Sequence, residues 1–146
     1  MDVFCTMLAT DDYLPGVQVL HNSLRRFHAR ETLVILVTPD IARATRLKLK
    51  QLSYVQIAEV PHLMKPNKST GAWERSQYTK LHIWTLTQFN QVFYIDADCL
   101  VLSDLSEIFT LKTDFGAAPD VFPPDCFNAG VLLIKPSLEM FKRLVS

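Results

Sequence analysis

Val92-Phe93-Tyr94-Ile95-Asp96-Ala97-Asp98 is the stretch whose reading decides this chain. An apolar run ends abruptly in two aspartates spaced i, i+2. Side chains two apart on an extended strand point the same way. Both carboxylates can therefore converge on one cation at the exit of a buried strand. Carboxylate oxygens suit hard ions such as Mg²⁺ and Mn²⁺. Two aspartates cannot fill an octahedral shell, and ions held this way are commonly shared with substrate phosphates. The stretch thus points to a metal that holds a nucleotide. The competing reading is a polar turn after a strand, where Asp is common. For so short a pattern, the surrounding sequence has to decide.

Working outward, Val3 to Leu8 predicts a short buried strand. Asp11 or Asp12 caps a helix to about Phe27, with Val17, Leu20 and Leu24 as its apolar stripe. Thr32 to Val37 is a second, fully buried strand. Thr38-Pro39-Asp40 supplies a cap, a first-turn proline and an acidic first turn for a helix to about Leu52. Tyr54 to Val60 is a third strand, and Pro61 to Arg75 a polar loop of a length that is often functional. Ser76 begins a helix through about Gln88, and Gln91 to Asp96 is the fourth strand. Asp104 to Phe109 is a short helix, Phe115 to Pro119 a short strand, and Val121 to Phe127 a Pro-interrupted loop. Gly130 to Ile134 is another strand, and Ser137 caps a final helix. Strands alternating with helices imply an α/β fold with a largely parallel sheet. Such sheets bind ligands beyond the carboxyl ends of their strands, at the topological switch point. Ala9-Thr10-Asp11 and Asp96-Ala97-Asp98 both follow strands, and they meet if strands one and four are neighbours.

Composition narrows the classes. The chain has 146 residues, enough for one domain with a sizeable core. At 49% hydrophobic it reads as globular rather than disordered. Fifteen basic and fifteen acidic residues cancel, which gives no sign of a nucleic-acid or anionic-membrane partner. No apolar stretch approaches the ~20 residues that span a bilayer, and no signal-peptide pattern is present. Met1 sits directly before the first strand. The expectation is a cytoplasmic location without a membrane. Cys5, Cys99 and Cys126 read as reduced thiols, Cys99 as a small hydrophobe beside the Asp pair.

The surroundings of the Asp pair settle its reading. After it comes Cys99-Leu100-Val101-Leu102-Ser103-Asp104-Leu105, upstream is Tyr78-Thr79-Lys80-Leu81-His82-Ile83-Trp84, and downstream are Ala117-Ala118-Pro119-Asp120 and Asp125-Cys126-Phe127-Asn128-Ala129-Gly130-Val131. In order and spacing, these blocks closely resemble the family 8 glycosyltransferases, glycogenin-type enzymes in particular, from Phe4 to the last residues. The resemblance implies a GT-A type, Rossmann-like nucleotide-binding fold. It implies transfer of a hexose, glucose first among candidates, from a UDP-sugar to an acceptor hydroxyl with retention at the anomeric carbon. Glucan, protein or small polyol acceptors fit, and the resemblance admits a homodimer.

Residue by residue, the resemblance implies that Asp96 and Asp98, with Ala97 between them, hold Mn²⁺ (or Mg²⁺) and the donor. The first strand-to-helix turn holds uracil and ribose. Backbone groups of Met7 and Ala9 read the base edge, Tyr13 offers a stacking face, and Thr10 stands where the family often has Asn. Lys80 would stabilise charge developing on the departing diphosphate. Asp120 and Asn128, the latter followed by Ala129, would contact the donor sugar, since carboxylates and amides suit hydroxyls. Lys80 and Asp120 are the catalytic candidates. Gly130 would let the backbone approach closely. Arg75 could reach a phosphate. Blander readings compete: a packing role for Tyr13, a surface turn for Asp125, and a partly buried helix residue rather than a ligand for His82. For Lys80 the default is a solvated helix lysine, turned away from the core face of Leu81, Ile83 and Trp84.

In the family the pattern continues further, through an Asp-Gln-Gly segment, a metal-ligating His and a Lys-Pro-Trp region. His21, His28, His62 and His82 all precede the Asp pair and match no such ligand. The last residues form an amphipathic helix whose face of Leu138, Phe141 and Leu144 needs a partner. Residues 1–146 are therefore expected to be the nucleotide-sugar-binding part of a single, longer domain. Two alternatives stand beside the glycogenin-like reading. One is a galactinol synthase-like or glucuronosyltransferase-like relative. The other is a truncated, non-catalytic module that binds nucleotide-sugar or a partner.

Overall fold

The computed structural model describes residues 1–64, 77–121 and 125–146. Its strands are β1 (Val3–Leu8), β2 (Leu33–Val37), β3 (Val55–Glu59), β4 (Val92–Ile95), β5 (Phe115–Pro119) and β6 (Phe127–Ile134). Its α-helices are α1 (Leu14–Arg25), α2 (Arg43–Lys50) and α3 (Leu138–Val145). Among the described residues, none of the helices is long and apolar enough to cross a membrane.

The six strands form one sheet in the order β3-β2-β1-β4-β6-β5. β1 pairs in parallel with β2 and with β4, and β2 with β3. β6 runs antiparallel between β4 and β5, so it alone is reversed. The chain winds outward from β1 to β3, then crosses back to place β4 on the other side of β1. That reversal is the topological switch point, and it lies between the two strands expected to meet there.

Alternation along the strands divides the core into two layers. Phe4 and Leu8 of β1, Leu33, Ile35 and Val37 of β2, and Phe93 and Ile95 of β4 pack with Leu14, Val17, Leu20 and Leu24 around α1. Val3, Cys5, Met7, Val34, Leu36, Val92 and Tyr94 point the other way, toward Ile83, Trp84 and Leu86. Period-2 geometry thus makes the face of Val92 and Tyr94 the face of Asp96 as well. Tyr94 and Asp96 accordingly meet the segment that carries Lys80.

Several expected boundaries shift for local reasons. Neither Asp11 nor Asp12 caps α1: a short 3₁₀ turn, Asp11–Tyr13, precedes it, and Asp11 Oδ1 accepts instead from Ala42 N at 3.1 Å. α2 starts at Arg43 rather than just after Thr38. Thr38 O accepts from Ile41 N and from the Arg46 guanidinium, closing a turn first, and Asp40 pairs with His62 at 2.8 Å. Arg46 also bonds Glu59 of β3 at 2.7 Å, so one of the cations expected on a solvated face fastens the helix to the sheet. The helix expected through Gln88 is helical at 77–79 and then a 3₁₀ helix, Lys80–Thr85. β-branched Thr79, Ile83 and Thr85 disfavour longer α-helix there, and Thr85 Oγ1 closes onto His82 O at 2.8 Å. The expected start of that helix at Ser76, Arg75 and the core of the long polar loop lie outside the described residues. β6 begins at Phe127, three residues before its expected start, because Phe127 pairs with Pro119 of β5. Ser137 caps α3 as expected, its Oγ accepting from Met140 N at 3.2 Å. The apolar face of α3 is partly partnered: Phe141 lies against the His82 ring at 5.2 Å, while Leu138 and Leu144 remain exposed, Leu144 lining a groove of about 790 Å³.

Candidate functional site

A cleft of about 540 Å³ opens beyond the carboxyl ends of β1 and β4. The β1 turn contributes Met7, Ala9, Thr10 and Tyr13 to its wall. β4 and its exit contribute Tyr94, Asp96, Ala97 and Asp98, and the start of β6 contributes Asn128, Ala129 and Gly130. Lys80 enters from the 3₁₀ helix, with Gln77 one turn before it. Among the described residues, every metal, nucleotide and sugar contact expected from sequence lies here except Asp120. That residue stands at the exit of β5, where its Oδ1 accepts from Val121 N at 2.7 Å and its own N–H donates to Cys126 O. Asp125 is exposed.

Lys80 is not the solvated helix lysine of the competing reading. It is 4% exposed, and its Nζ donates to Asp96 Oδ1 at 2.8 Å and to Ala129 O at 3.1 Å. The 3₁₀ helix explains this placement. With three residues per turn, Lys80 and Ile83 share one side, and Ile83 is fully buried against the sheet. An irregularity in the β5–β6 register throws residues 129–131 out of step with β5, which leaves Ala129 O for Lys80. An ammonium carries three N–H donors, so one is left to face the cleft.

Tyr94 was not singled out by sequence. It is 1% exposed, and its hydroxyl donates to Asp96 Oδ1 at 2.6 Å. Lys80 Nζ lies 5.0 Å from the centre of its ring. The signal was available, because the two-residue period that pairs Asp96 with Asp98 also pairs Tyr94 with Asp96. Burial first, then the charge of Asp96 and its hydrogen bond, push the Tyr94 hydroxyl well above its ordinary pKa, so it stays a donor. Burial and the neighbouring Asp98 and Asp96 likewise push the Cys99 thiol up, in keeping with an inert small hydrophobe. His82 Nε2 donates to Pro61 O at 3.0 Å, and burial lowers its pKa. It takes no part in the cleft.

Two glycines set how closely the backbone approaches the carboxylates. A Cβ on Gly130 would lie 2.9 Å from Asp96 Oδ2 and 2.8 Å from Asn128 Oδ1. Asn128 Oδ1 instead accepts from Gly130 N at 2.7 Å, leaving the Asn128 NH₂ as a donor. On the other side, a Cβ on Gly16 of α1 would lie 2.7 Å from Ala97 O. α1 thus packs directly on the turn that carries both aspartates.

The donor set fits a hard divalent cation. Asp96 Oδ1 takes both protein hydrogen bonds, while Oδ2 takes none from the described residues and faces the space that the missing Gly130 side chain leaves. Asp98 is exposed on the same cleft. Among the described residues no group of three His, Cys, Asp or Glu could enclose a metal. The arrangement can therefore share a cation with a ligand that supplies its own oxygens.

Comparison with known proteins agrees with this architecture. The model of "Glycosyl transferase family 8" matches residues 4–144. Glycogenin-2 of Homo sapiens is 37% identical over 147 aligned positions, covering 97% of this chain and 29% of that protein. Glycogenin-1 of Homo sapiens is 33% identical, covering 97% of this chain and 41% of that protein. The chain thus spans less than half the length of either. Among solved structures, the galactosyltransferase LgtC in complex with donor and acceptor sugar analogues superposes with a TM-score of 0.69 at 19% identity, covering all of this chain and 66% of LgtC. That likeness concerns the fold, a GT-A type sheet.

Proposed function

Because the chain belongs to glycosyl transferase family 8, we propose that it provides the nucleotide-sugar-binding part of a metal-dependent, retaining hexosyltransferase, with UDP-glucose as the first donor to test. The observation that carries this reading is the convergence of Asp96, Asp98 and Lys80 in one cleft at the switch point of the sheet. The family membership supports glycosyl transfer. The residue roles are our reading of the geometry, and the donor is our reading of the likeness to glycogenins.

Asp96 Oδ2 and Asp98 would hold Mn²⁺ or Mg²⁺, which when bound supplies Lewis-acid neutralisation of a leaving diphosphate. Lys80, held by Asp96 and Ala129 O, has one N–H left for a diphosphate oxygen, and its placement needs no reorganisation during the reaction. Tyr13 is 53% exposed at the cleft mouth, where its ring can stack on a base, and Thr10 and the backbone of Met7 and Ala9 line the same end. The Asn128 NH₂ is placed to donate to sugar hydroxyls, with Ala129 beside it. Asp120 is read as a hydroxyl acceptor at the edge of the donor sugar rather than as a nucleophile, since its Oδ1 is engaged by Val121 N. By analogy with retaining hydrolases, a double displacement needs a carboxylate nucleophile and an acid/base about 5–5.5 Å apart, and both carboxylates that line the cleft, Asp96 and Asp98, are assigned here to the metal. We therefore read the transfer as same-face attack through an ion-pair-like transition state.

The competing reading is a module that binds nucleotide-sugar without transferring it. It draws support from the lack of a third metal-ligating side chain among the described residues. Radiolabel transfer separates the two. The chain is incubated with Mn²⁺, a glucan acceptor and labelled UDP-glucose, UDP-galactose or UDP-glucuronic acid in turn. We expect slow, Mn²⁺-dependent transfer from one donor that Asp98→Ala abolishes. Binding without transfer from any donor would favour the module, and transfer unaffected by Asp98→Ala would overturn the assigned site.

A further inference from the structure

We propose that Tyr94 is a positioning residue that restricts Asp96 to one-oxygen ligation of the divalent cation and so favours Mn²⁺ or Mg²⁺ over Ca²⁺. The inference deepens the donor-site reading above and rests on it. A carboxylate oxygen has room for about two hydrogen bonds. Asp96 Oδ1 already accepts two, from Tyr94 Oη at 2.6 Å and Lys80 Nζ at 2.8 Å. Both donors are buried, at 1% and 4% exposure, so water does not readily replace them. The remaining oxygen, Oδ2, lies over the Cα of Gly130. The carboxylate is thus held at one oxygen and presents the other.

That presentation carries a metal preference. Mg²⁺ demands a compact octahedral shell and accepts carboxylates one oxygen at a time, whereas Ca²⁺ takes more ligands and often chelates both oxygens of a carboxylate. A carboxylate with one oxygen already saturated serves the smaller ion better. One feature suits Tyr94 for this work: its hydroxyl sits two residues upstream on the same face of β4, so strand geometry fixes the distance.

The test compares wild type with Tyr94→Phe, which keeps the buried ring and removes only the hydroxyl. Mn²⁺ binding is followed by the loss of the free-ion electron paramagnetic resonance signal, with UDP present and Ca²⁺ as competitor. Thermal melts confirm that both chains are folded. Groups that orient a metal ligand are typically worth 10–100-fold in affinity, so the variant should bind Mn²⁺ about tenfold more weakly. Ca²⁺ should also compete more effectively against it, because Oδ1 becomes available. A purely structural role would weaken both ions alike and leave their ratio unchanged; that result overturns the inference, as does a Mn²⁺ affinity within about twofold of wild type. Asp98→Ala separates the two levels. If wild type binds Mn²⁺ and Asp98→Ala does not, the donor site stands, and only the role of Tyr94 is judged by the ratio. If wild type binds no Mn²⁺, the site and the inference fall together.

Discussion

Gly16→Ala tests whether α1 sets the position of the metal-site turn. A Cβ at this position would sit 2.7 Å from Ala97 O, whereas ordinary contact begins at 3.4 Å. The gap must widen by the difference, about 0.7 Å, and the obstructing atom is backbone rather than a side chain that can rotate away. Either α1 slides, disturbing Val17, Leu20 and Leu24 in the core, or the turn moves with Asp96 and Asp98. Overpacking of this kind costs about 1–3 kcal/mol. Replacing Gly by Ala in a helix interior returns up to about 1 kcal/mol; Gly16, in the first turn of α1, recovers only part of that, so the net expectation is a loss of about 1–2 kcal/mol. Gly116→Ala is the internal control, because its Cβ would meet Leu133 Cβ at 3.7 Å and Thr113 Cγ2 at 3.8 Å, ordinary contacts in a strand. It should be neutral or stabilising by about 0.5–1 kcal/mol. The assay is urea unfolding of both variants, paired with UDP titration in Mn²⁺. Gly16→Ala should be the less stable and should bind UDP more weakly. Equal stability of Gly16→Ala and wild type, or equal damage from both substitutions, would refute the reasoning.

Stability should fall on mild acidification through His82. Burial lowers its folded-state pKa below the ordinary 6.5, while its hydrogen bond to Pro61 O partly offsets this. The unfolded chain therefore binds the proton more readily, so the contribution of His82 is complete above about pH 6.5 and is lost as pH drops from there toward the folded value. Urea midpoints measured across this range should decline, and His82→Gln should flatten the decline; an unchanged slope in the variant would rule out His82 as its source. Ser137→Ala should remove the cap on α3, whose Oγ accepts from Met140 N, at a cost of about 1 kcal/mol. Amide exchange should quicken first at the start of that helix, and protection equal to wild type there would show that the cap contributes nothing.

The parts of the fold legible in the sequence are those fixed by local periodicity. β1 and β5 fall at their expected residues, because an apolar run or a bounded short strand leaves little choice. The Asp pair was legible for the same reason, since strand period and carboxylate chemistry act within three residues. Lys80 was legible as a position and not as an environment. Its burial depends on a 3₁₀ helix and on a register irregularity in β6, neither of which a single-chain pattern encodes. The helix starts failed where a side chain had a distant partner. Asp11 reaches Ala42 and leaves the cap it seemed to offer, and Asp40 reaches His62 and leaves the acidic first turn expected of it. Gly16 gave no sequence signal for its role, because the contact with Ala97 O joins elements 81 positions apart and exists only once β1 and β4 pair.

The central claim is that Asp96, Asp98 and Lys80 form a donor site that needs a divalent cation. The most direct measurement is calorimetric titration of UDP into the chain with Mn²⁺ and again with a chelator, alongside Asp98→Ala. The account predicts binding that requires Mn²⁺ and disappears in the variant. UDP binding of equal strength with and without metal, or in wild type and variant alike, would contradict it.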